Sequence, residues 1–255
     1  MASGGGNDVY YVGLNTRQTL TSGAYSGLAD PNRNRLSFLY AHYTPGSEHF
    51  HGIGNYSYTG PASGPTVLDT NAGNRLPELY QRPTGFKNIP LTPGSGPLNG
   101  LFTSGNTNGE YDNLMIRPYS ALAGSSDPAD QALFNAGARF GGSMASVNLA
   151  LEVVSITPGF KVSSSDISQT VDAAGQKLNI GSGNFAFKPI FWTAGSTPLG
   201  TNMEVTFRLV DLNAADPSIS QSGRFGFDVQ VVPEPATMAV LGLGIAALML
   251  SLIHI

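Results

Sequence analysis

In the stretch MEVTFRLVDL, residues 203–212, apolar and polar side chains alternate from Met203 to Leu209. Val205, Phe207 and Leu209 therefore point to one face of a strand, and the residues between them point to the other. Comparable stretches recur at similar intervals in the second half of the chain: 145–164, which turns at Thr157-Pro158-Gly159, then 177–195, 202–213 and 223–232. This spacing predicts an antiparallel β-sandwich, and in the stretch 203–212 one face should be buried.

The composition supports a mainly β fold for the whole chain. The 255 residues include 32 Gly and 17 Pro, and only 12% are charged, a mixture typical of turn-rich β proteins. Two stretches rich in aromatic and β-branched residues, 8–14 and 35–43, predict further strands. We therefore expect one antiparallel β-sandwich, of which a jelly roll is one form, with long Gly/Pro-rich loops.

The sequence divides into three segments. We predict a flexible N-terminal segment over 1–8, the β domain over 9–232 with a loop-rich insertion around 52–107, and a separate C-terminal segment over 233–255. One short helix is predicted inside the domain, because Asp127 can cap it and Pro128 suits its first position. We expect the pair Gly141-Gly142 to end that helix.

Several classes of function are disfavoured by what the sequence lacks. The formal net charge is −4 and no run of Lys or Arg is present, so nucleic acid is not an expected partner. The absence of Cys removes disulfides, thiolate metal sites and Cys nucleophiles. A His-Glu-x-x-His motif and a Ser nucleophile elbow are also missing, so we do not expect an enzyme.

The two ends differ in character. The start, MASGGGNDVYYVGL, has no basic segment followed by an apolar one, so we expect the chain to begin at or near a mature N-terminus. At the other end, an apolar run from 236 to 253 is broken only by Thr237 and Ser251. A helix of about 20 apolar residues crosses a bilayer, so this run predicts a C-terminal hydrophobic helix that spans the membrane.

Pro233, Glu234 and Pro235, followed at once by this span, resemble the PEP-CTERM sorting signal of exopolysaccharide-producing Gram-negative bacteria and cyanobacteria. The resemblance implies export, membrane association and processing by an exosortase near Pro-Glu-Pro. In that family the span ends in arginines, whereas residues 251–255 contain none, and a truncated or misread terminus is the expected reason. An ordinary C-terminal anchor is the alternative.

Three of the four histidines lie within YAHYTPGSEHFHG, residues 40–52. If residues 44–47 close a hairpin, His42 lies opposite His49 and His51 returns to the same face. Three neutral imidazoles suit Zn²⁺, or another metal that prefers nitrogen ligands, such as Cu²⁺, Ni²⁺ or Fe²⁺. This register also brings Tyr40 opposite His51, whereas Glu48 points to the other face unless the ladder bulges. Tyr40 and Glu48 are the candidates for an additional ligand or a supporting contact. A slip of one residue would separate His42 from His49, and the histidines would then be incidental.

A second resemblance covers most of the chain. The segments GGGNDVYYVGLNTRQTLTSG (4–23) and DPNRNRLSFLYAHYTPGSEHFHGIGNYSYTGP (30–61), with the terminal signal, are similar to a cyanobacterial family of Zur-repressed PEP-CTERM proteins. Repression by a zinc sensor implies a role in zinc acquisition or buffering at the cell envelope under zinc limitation. The alternative is a structural or carbohydrate-associated matrix protein without a metal role, with exopolysaccharide as its partner. Trp192 and its neighbouring phenylalanines suggest a sugar-stacking platform for that alternative, although such rings more often belong to the core.

Overall fold

Short strands account for most of the regular structure. The computed structural model describes residues 9–42, 48–71, 73–77, 88–105, 114–136, 139–213 and 217–233. The strands are β1 (Val9–Leu14), β2 (Leu36–His42), β3 (His49–Gly52), β4 (Ser57–Thr59), β5 (Thr66–Leu68), β6 (Arg75–Leu76), β7 (Ile89–Pro93), β8 (Leu101–Thr103), β9 (Met115–Pro118), β10 (Asn148–Ile156), β11 (Lys161–Ser164), β12 (Thr170–Val171), β13 (Lys177–Ser182), β14 (Pro189–Ala194), β15 (Asn202–Asp211) and β16 (Phe225–Val231). The helices are two 3₁₀ turns, η1 (Gly96–Leu98) and η2 (Tyr119–Leu122), and one α-helix, α1 (Pro128–Phe134).

The large sheet curls into a nearly closed barrel. Its strand order is β12-β11-β14-β8-β7-β16-β15-β10-β13, and its two end strands, β12 and β13, lie beside each other. Most neighbours are antiparallel, but β6 and β7 pair in parallel with β16. β16 is therefore an interior strand, with β15 on one side and β6 and β7 on the other.

A smaller sheet packs against this barrel. Its order is β3-β2-β1-β9, with β1 parallel to β9. Phe38 of β2 is fully buried and stacks on Phe225 of the large sheet with ring centroids 4.4 Å apart. On its other side Phe38 stacks on Tyr10 of β1 at 5.2 Å. The two sheets thus share one hydrophobic core, and the predicted mainly β fold is confirmed.

A second, smaller core lies on the other face of the small sheet. Tyr11, Leu39 and Phe140 pack there against residues of η2 and α1. Helix α1 begins as predicted, because the Asp127 side chain accepts hydrogen bonds from the backbone N–H groups of Ala129 and Asp130.

The predicted end of the helix is wrong, since α1 stops at Phe134 rather than at Gly141-Gly142. The Tyr119 hydroxyl donates to the carbonyl of Phe134 at 2.6 Å, which satisfies a terminal helix acceptor. Beyond the helix, the backbone follows β1 instead: Leu14 N donates to Phe140 O at 3.1 Å and Thr16 N to Arg139 O at 2.7 Å.

Each stretch predicted to contain strands does contain them. In β15 the predicted alternation is confirmed, because Val205, Phe207 and Leu209 are buried while Glu204 is exposed. The stretch 52–107, predicted as a loop-rich insertion, contributes the short strands β4 to β8, and both β7 and β8 are members of the barrel. The predicted segment 1–8 lies outside the described residues, and so does the predicted segment 233–255 except for Pro233.

Candidate metal-binding hairpin

β2 and β3 form an antiparallel hairpin at the edge of the small sheet. Their register pairs Tyr40 with His51, Ala41 with Phe50, and His42 with His49. This is the register predicted from the sequence, although the connecting residues 43–47 lie outside the described part of the chain. Because directly opposed residues share a face, Tyr40, His49 and His51 lie on the same side of the hairpin.

Two imidazoles lie side by side on this face. The ring centroids of His49 and His51 are 4.8 Å apart, and the ring planes are inclined by 55°. His49 is exposed to solvent and His51 is half-buried. The backbone of His42 is opposite His49, but its side chain lies outside the described residues. Within the described part of the chain, no three His, Cys, Asp or Glu side chains are close enough together to hold a metal ion.

The histidines continue the aromatic stripe of the main core towards solvent. Tyr40 stacks on Tyr10 with centroids 5.0 Å apart, and Tyr10 stacks on Phe38 deeper in the core. Phe38, Tyr40 and the paired His51 therefore lie on one face of the small sheet, in order from the interior to the rim. This packing fixes the inner end of the hairpin. It therefore restricts the directions in which the imidazoles at the rim can point.

The opposite face of the hairpin anchors β3. Phe50 packs edge-on against Phe140 at 5.6 Å, within the second core formed with α1 and η2. At the end of the strand, Gly52 lies so close to Asn55 that a Cβ atom there would be 1.8 Å from the Asn55 side-chain nitrogen. Glu48 is half-buried and immediately precedes β3, next to His49. Packing on both sides thus holds His49 and His51 in a defined register.

A buried charge cluster that was not predicted from the sequence lies at the loop between β1 and β2. The Asp30 carboxylate is fully buried, accepts from Arg17 Nε at 2.6 Å and lies 3.8 Å from Arg139 Nη2. It also accepts from the backbone N–H of Asn32 at 2.9 Å. Burial, together with repulsion from Arg17, lowers the pKa of Arg139 to about 10, so it is still charged at neutral pH. The polar run from Asp30 to Arg35 is the sequence feature that could have indicated this cluster. Such runs of polar residues are, however, common in surface turns.

The aromatic residues around Trp192 belong mainly to the core. Phe185, Phe187 and Phe191 are buried in the cluster that joins the two sheets. Trp192 itself is half-buried, its indole N–H donates to Ser163 Oγ at 2.7 Å, and the Lys161 ammonium lies over its ring at 5.1 Å. The interpretation of these phenylalanines as core residues is confirmed.

The end of the described chain passes directly into the sorting signal. Val231 is the last residue of β16, and Pro233 is half-buried at the barrel surface, whereas Glu234 and Pro235 lie outside the described residues. Residues 231–251 match the PEP-CTERM protein-sorting motif. No curated protein and no solved structure gave a match.

The motif establishes how this protein is handled. A PEP-CTERM signal marks an exported protein that is sorted by an exosortase and is anchored in the cell envelope or released at the surface after C-terminal processing. Among the described residues, no helix is both long and apolar enough to cross a membrane. The resemblance noted at Pro233-Glu234-Pro235 is thereby confirmed for sorting, and it does not extend to regulation by zinc.

Proposed function

We propose that this exported protein binds zinc at the β2–β3 hairpin and acts in zinc acquisition or buffering at the cell envelope under zinc limitation. The observation that supports the proposal is the hairpin register, which pairs His42 with His49 and Tyr40 with His51. The resemblance to Zur-repressed PEP-CTERM proteins agrees with this role. The zinc is the cargo of the protein, and the proposal involves no catalysis.

The spacing of the two described rings fits a shared metal ion. Zn²⁺ binds imidazole nitrogen at about 2.0 to 2.1 Å, so two rings on one tetrahedral ion have centroids roughly 5 Å apart. The centroids of His49 and His51 are 4.8 Å apart. His42 would supply the third nitrogen from the opposed position of the register, and Tyr40 and Glu48 are the nearby groups proposed to support the ligands. The same donor set would also accept Cu²⁺, Ni²⁺ or Fe²⁺.

Exposure of the site supports exchange of the metal rather than a structural role. His49 is exposed, and its strand β3 is the edge strand of the small sheet. Structural zinc sites are closed by four protein ligands, whereas three histidines leave one position for water or for a ligand from another molecule. An accessible site of this kind can both load and release its metal.

Calorimetry with zinc at neutral pH tests the proposal. Residues 4–232, which include both cores, would be titrated beside a His49→Ala, His51→Ala double variant and a His42→Ala variant. We expect one equivalent of zinc to bind the unaltered segment, and we expect both variants to lose tight binding. Thr66→Ala serves as the control, because Thr66 is exposed on β5 and lies outside the sheet that contains the hairpin.

Two results would contradict zinc binding at the hairpin. Either no heat of binding is seen with the unaltered segment, or the double variant binds as tightly as the unaltered one. In the first case, affinity for the polysaccharide of the producing cell would favour the structural or carbohydrate-associated alternative. In the second case, zinc would bind elsewhere in the chain.

A further inference from the structure

The barrel is folded up to the first residues of the sorting motif. Val231 N donates to Thr201 O at 3.0 Å, and Gly200 N donates to Val231 O at 2.8 Å. One residue further, Val232 N donates to Leu91 O at 2.9 Å. The motif begins at residue 231, so it overlaps the last hydrogen-bonded residues of the domain. The domain and the motif are therefore not separated by a spacer.

The connection between the domain and the apolar run is very short. Only Pro233, Glu234 and Pro235 separate Val232 from the apolar run that starts at residue 236. Four Cα–Cα steps reach at most about 14 Å when fully extended. The polar headgroup layer on each side of a bilayer is about 5 to 8 Å thick. If residues 236–253 lie in the membrane, this end of the barrel must be at the headgroup surface.

Two neighbouring loops lie at the barrel end from which the chain leaves. One loop, 94–100, connects β7 to β8, and the other, 195–201, connects β14 to β15. They touch, because a Cβ atom on Gly195 would lie 2.1 Å from the Gly100 carbonyl oxygen. The second loop is also hydrogen-bonded to the last strand through Gly200 and Val231.

The chemistry of these loops suits a lipid surface. Their sequences, GSGPLNG and GSTPLGT, contain no charged residue, although charged groups are costly to move towards an apolar phase. Leu199 is 59% exposed, the highest value among the exposed large hydrophobic residues of the described chain. In contrast, the barrel wall nearby carries charge, since Arg75 pairs with Glu204 and Asp228.

We propose that loops 94–100 and 195–201 rest on the membrane surface while the protein is anchored, with Leu199 inserted between the lipid headgroups. The proposed partner is the lipid bilayer itself, because the short connection that begins at Pro233 keeps these loops close to it. This inference depends on the membrane association implied by the sorting motif and is independent of zinc binding. Cleavage near Pro-Glu-Pro would remove the tether and leave only a weak contact through one leucine.

The absence of Cys from the chain allows a direct test with single labels. The full chain would be placed in vesicles of phosphatidylethanolamine and phosphatidylglycerol, with a nitrobenzoxadiazole label on Leu199→Cys. Leu212→Cys is the matched control, because Leu212 is 37% exposed and follows β15 at its far end, up to about 30 Å from Asn202. Quenching by lipids that carry a nitroxide on the headgroup reports contact with the membrane surface.

We expect at least threefold stronger quenching at position 199 than at position 212, together with a blue-shifted emission at 199. Equal quenching at the two positions, or none at 199, would overturn the proposal and favour a protein partner for these loops. A spacer of ten Gly and Ser residues between Val232 and Pro233 adds roughly 17 Å of reach. The spacer should reduce quenching at 199 at least twofold, and unchanged quenching would refute the tether argument. Failure of the full chain to float with the vesicles would overturn it too.

Discussion

Phe38 joins the two sheets, and its replacement by Ala should destabilise the whole domain. The ring is fully buried and stacks between Tyr10 of the small sheet, at 5.2 Å, and Phe225 of the large sheet, at 4.4 Å. It also meets the edge of Phe227 at 6.4 Å. Removing it leaves a cavity bounded by both sheets, and neither sheet can fill the cavity without moving away from its own neighbours.

The size of the effect follows from these contacts. Truncation of a buried Phe to Ala costs about 3 to 5 kcal/mol, and the upper part of this range applies where the cavity cannot collapse. Each aromatic pair contributes about 0.5 to 1.5 kcal/mol beyond its buried area, and Phe38 makes three such pairs. We therefore expect Phe38→Ala to lower the free energy of unfolding by about 4 to 5 kcal/mol. Phe38→Leu, which keeps most of the volume, should cost about 1 to 2 kcal/mol.

Urea denaturation of residues 4–232 measures these differences. Fluorescence of Trp192, the single tryptophan, reports on the large sheet, and circular dichroism reports on both sheets. Phe134→Ala is the control, because Phe134 is 39% exposed and stacks only on Tyr119 among the described rings. We expect the control to cost at most about 1 kcal/mol. A Phe38→Ala cost similar to the control, or separate transitions for the two probes in the unaltered protein, would refute the shared core.

Three further predictions concern polar contacts. Asp30→Ala should cost about 3 kcal/mol by urea denaturation, because it leaves Arg17 and a second arginine without their buried carboxylate, whereas a cost below about 1 kcal/mol would contradict this role. Asp127→Ala should cost about 1 kcal/mol in the same assay by removing the helix cap, and Asp127→Asn should cost much less; equal costs would argue against capping. The hydrogen bond from Ser164, followed by those from Ser168, lowers the pKa of Asp166 to about 2, so its stabilising contribution is present above pH 4 and is lost as the pH falls towards 2. NMR titration of the Asp166 carboxyl should show this value, and Ser164→Ala should raise the pKa towards 3.8; an unchanged pKa in the variant would refute the assigned cause.

The strands that could be predicted are those whose side chains alternate. In β15 every second residue from Met203 to Leu209 is buried, so the sequence itself carries the period of the strand. β7 could not be found in this way, because Pro90 and Pro93 lack the backbone donor that a strand normally uses. The structure accommodates both prolines: β7 pairs with β16 only over 89–91 and with β8 only over 92–93.

Local chemistry predicted the start of α1 but not its end. A capping residue acts on the two or three residues after it, so Asp127 and Pro128 are sufficient evidence for the first turn. The end depends on two contacts. The Tyr119 hydroxyl donates a hydrogen bond to the carbonyl of Phe134, and the backbone at Phe140 accepts a hydrogen bond from Leu14 of β1. Both partners are distant in sequence, and their positions are set by the second core.

The candidate site shows the same division. The hairpin register could be predicted, because two strands joined by a short turn leave few alternative pairings. The contacts that hold it, Phe50 on Phe140 and Tyr40 on Tyr10, involve residues far away in the chain. The buried Asp30 cluster also depends on residues that are separated in the sequence, because its two arginines are at positions 17 and 139. It could therefore not be predicted from a local pattern.

The interior position of β16 has a consequence for the order of events during secretion. The barrel lacks the strand between β15 and β7 until the seven residues of β16, 225–231, have been added. A chain that emerges from its N-terminus can assemble the small sheet early, but the large sheet would have two open edges until then. The large sheet is therefore complete only when the residues next to the sorting motif are present. A product that ends before residue 225 lacks this interior strand, so it should be cut by proteases more readily than the complete domain rather than persist as a smaller functional one.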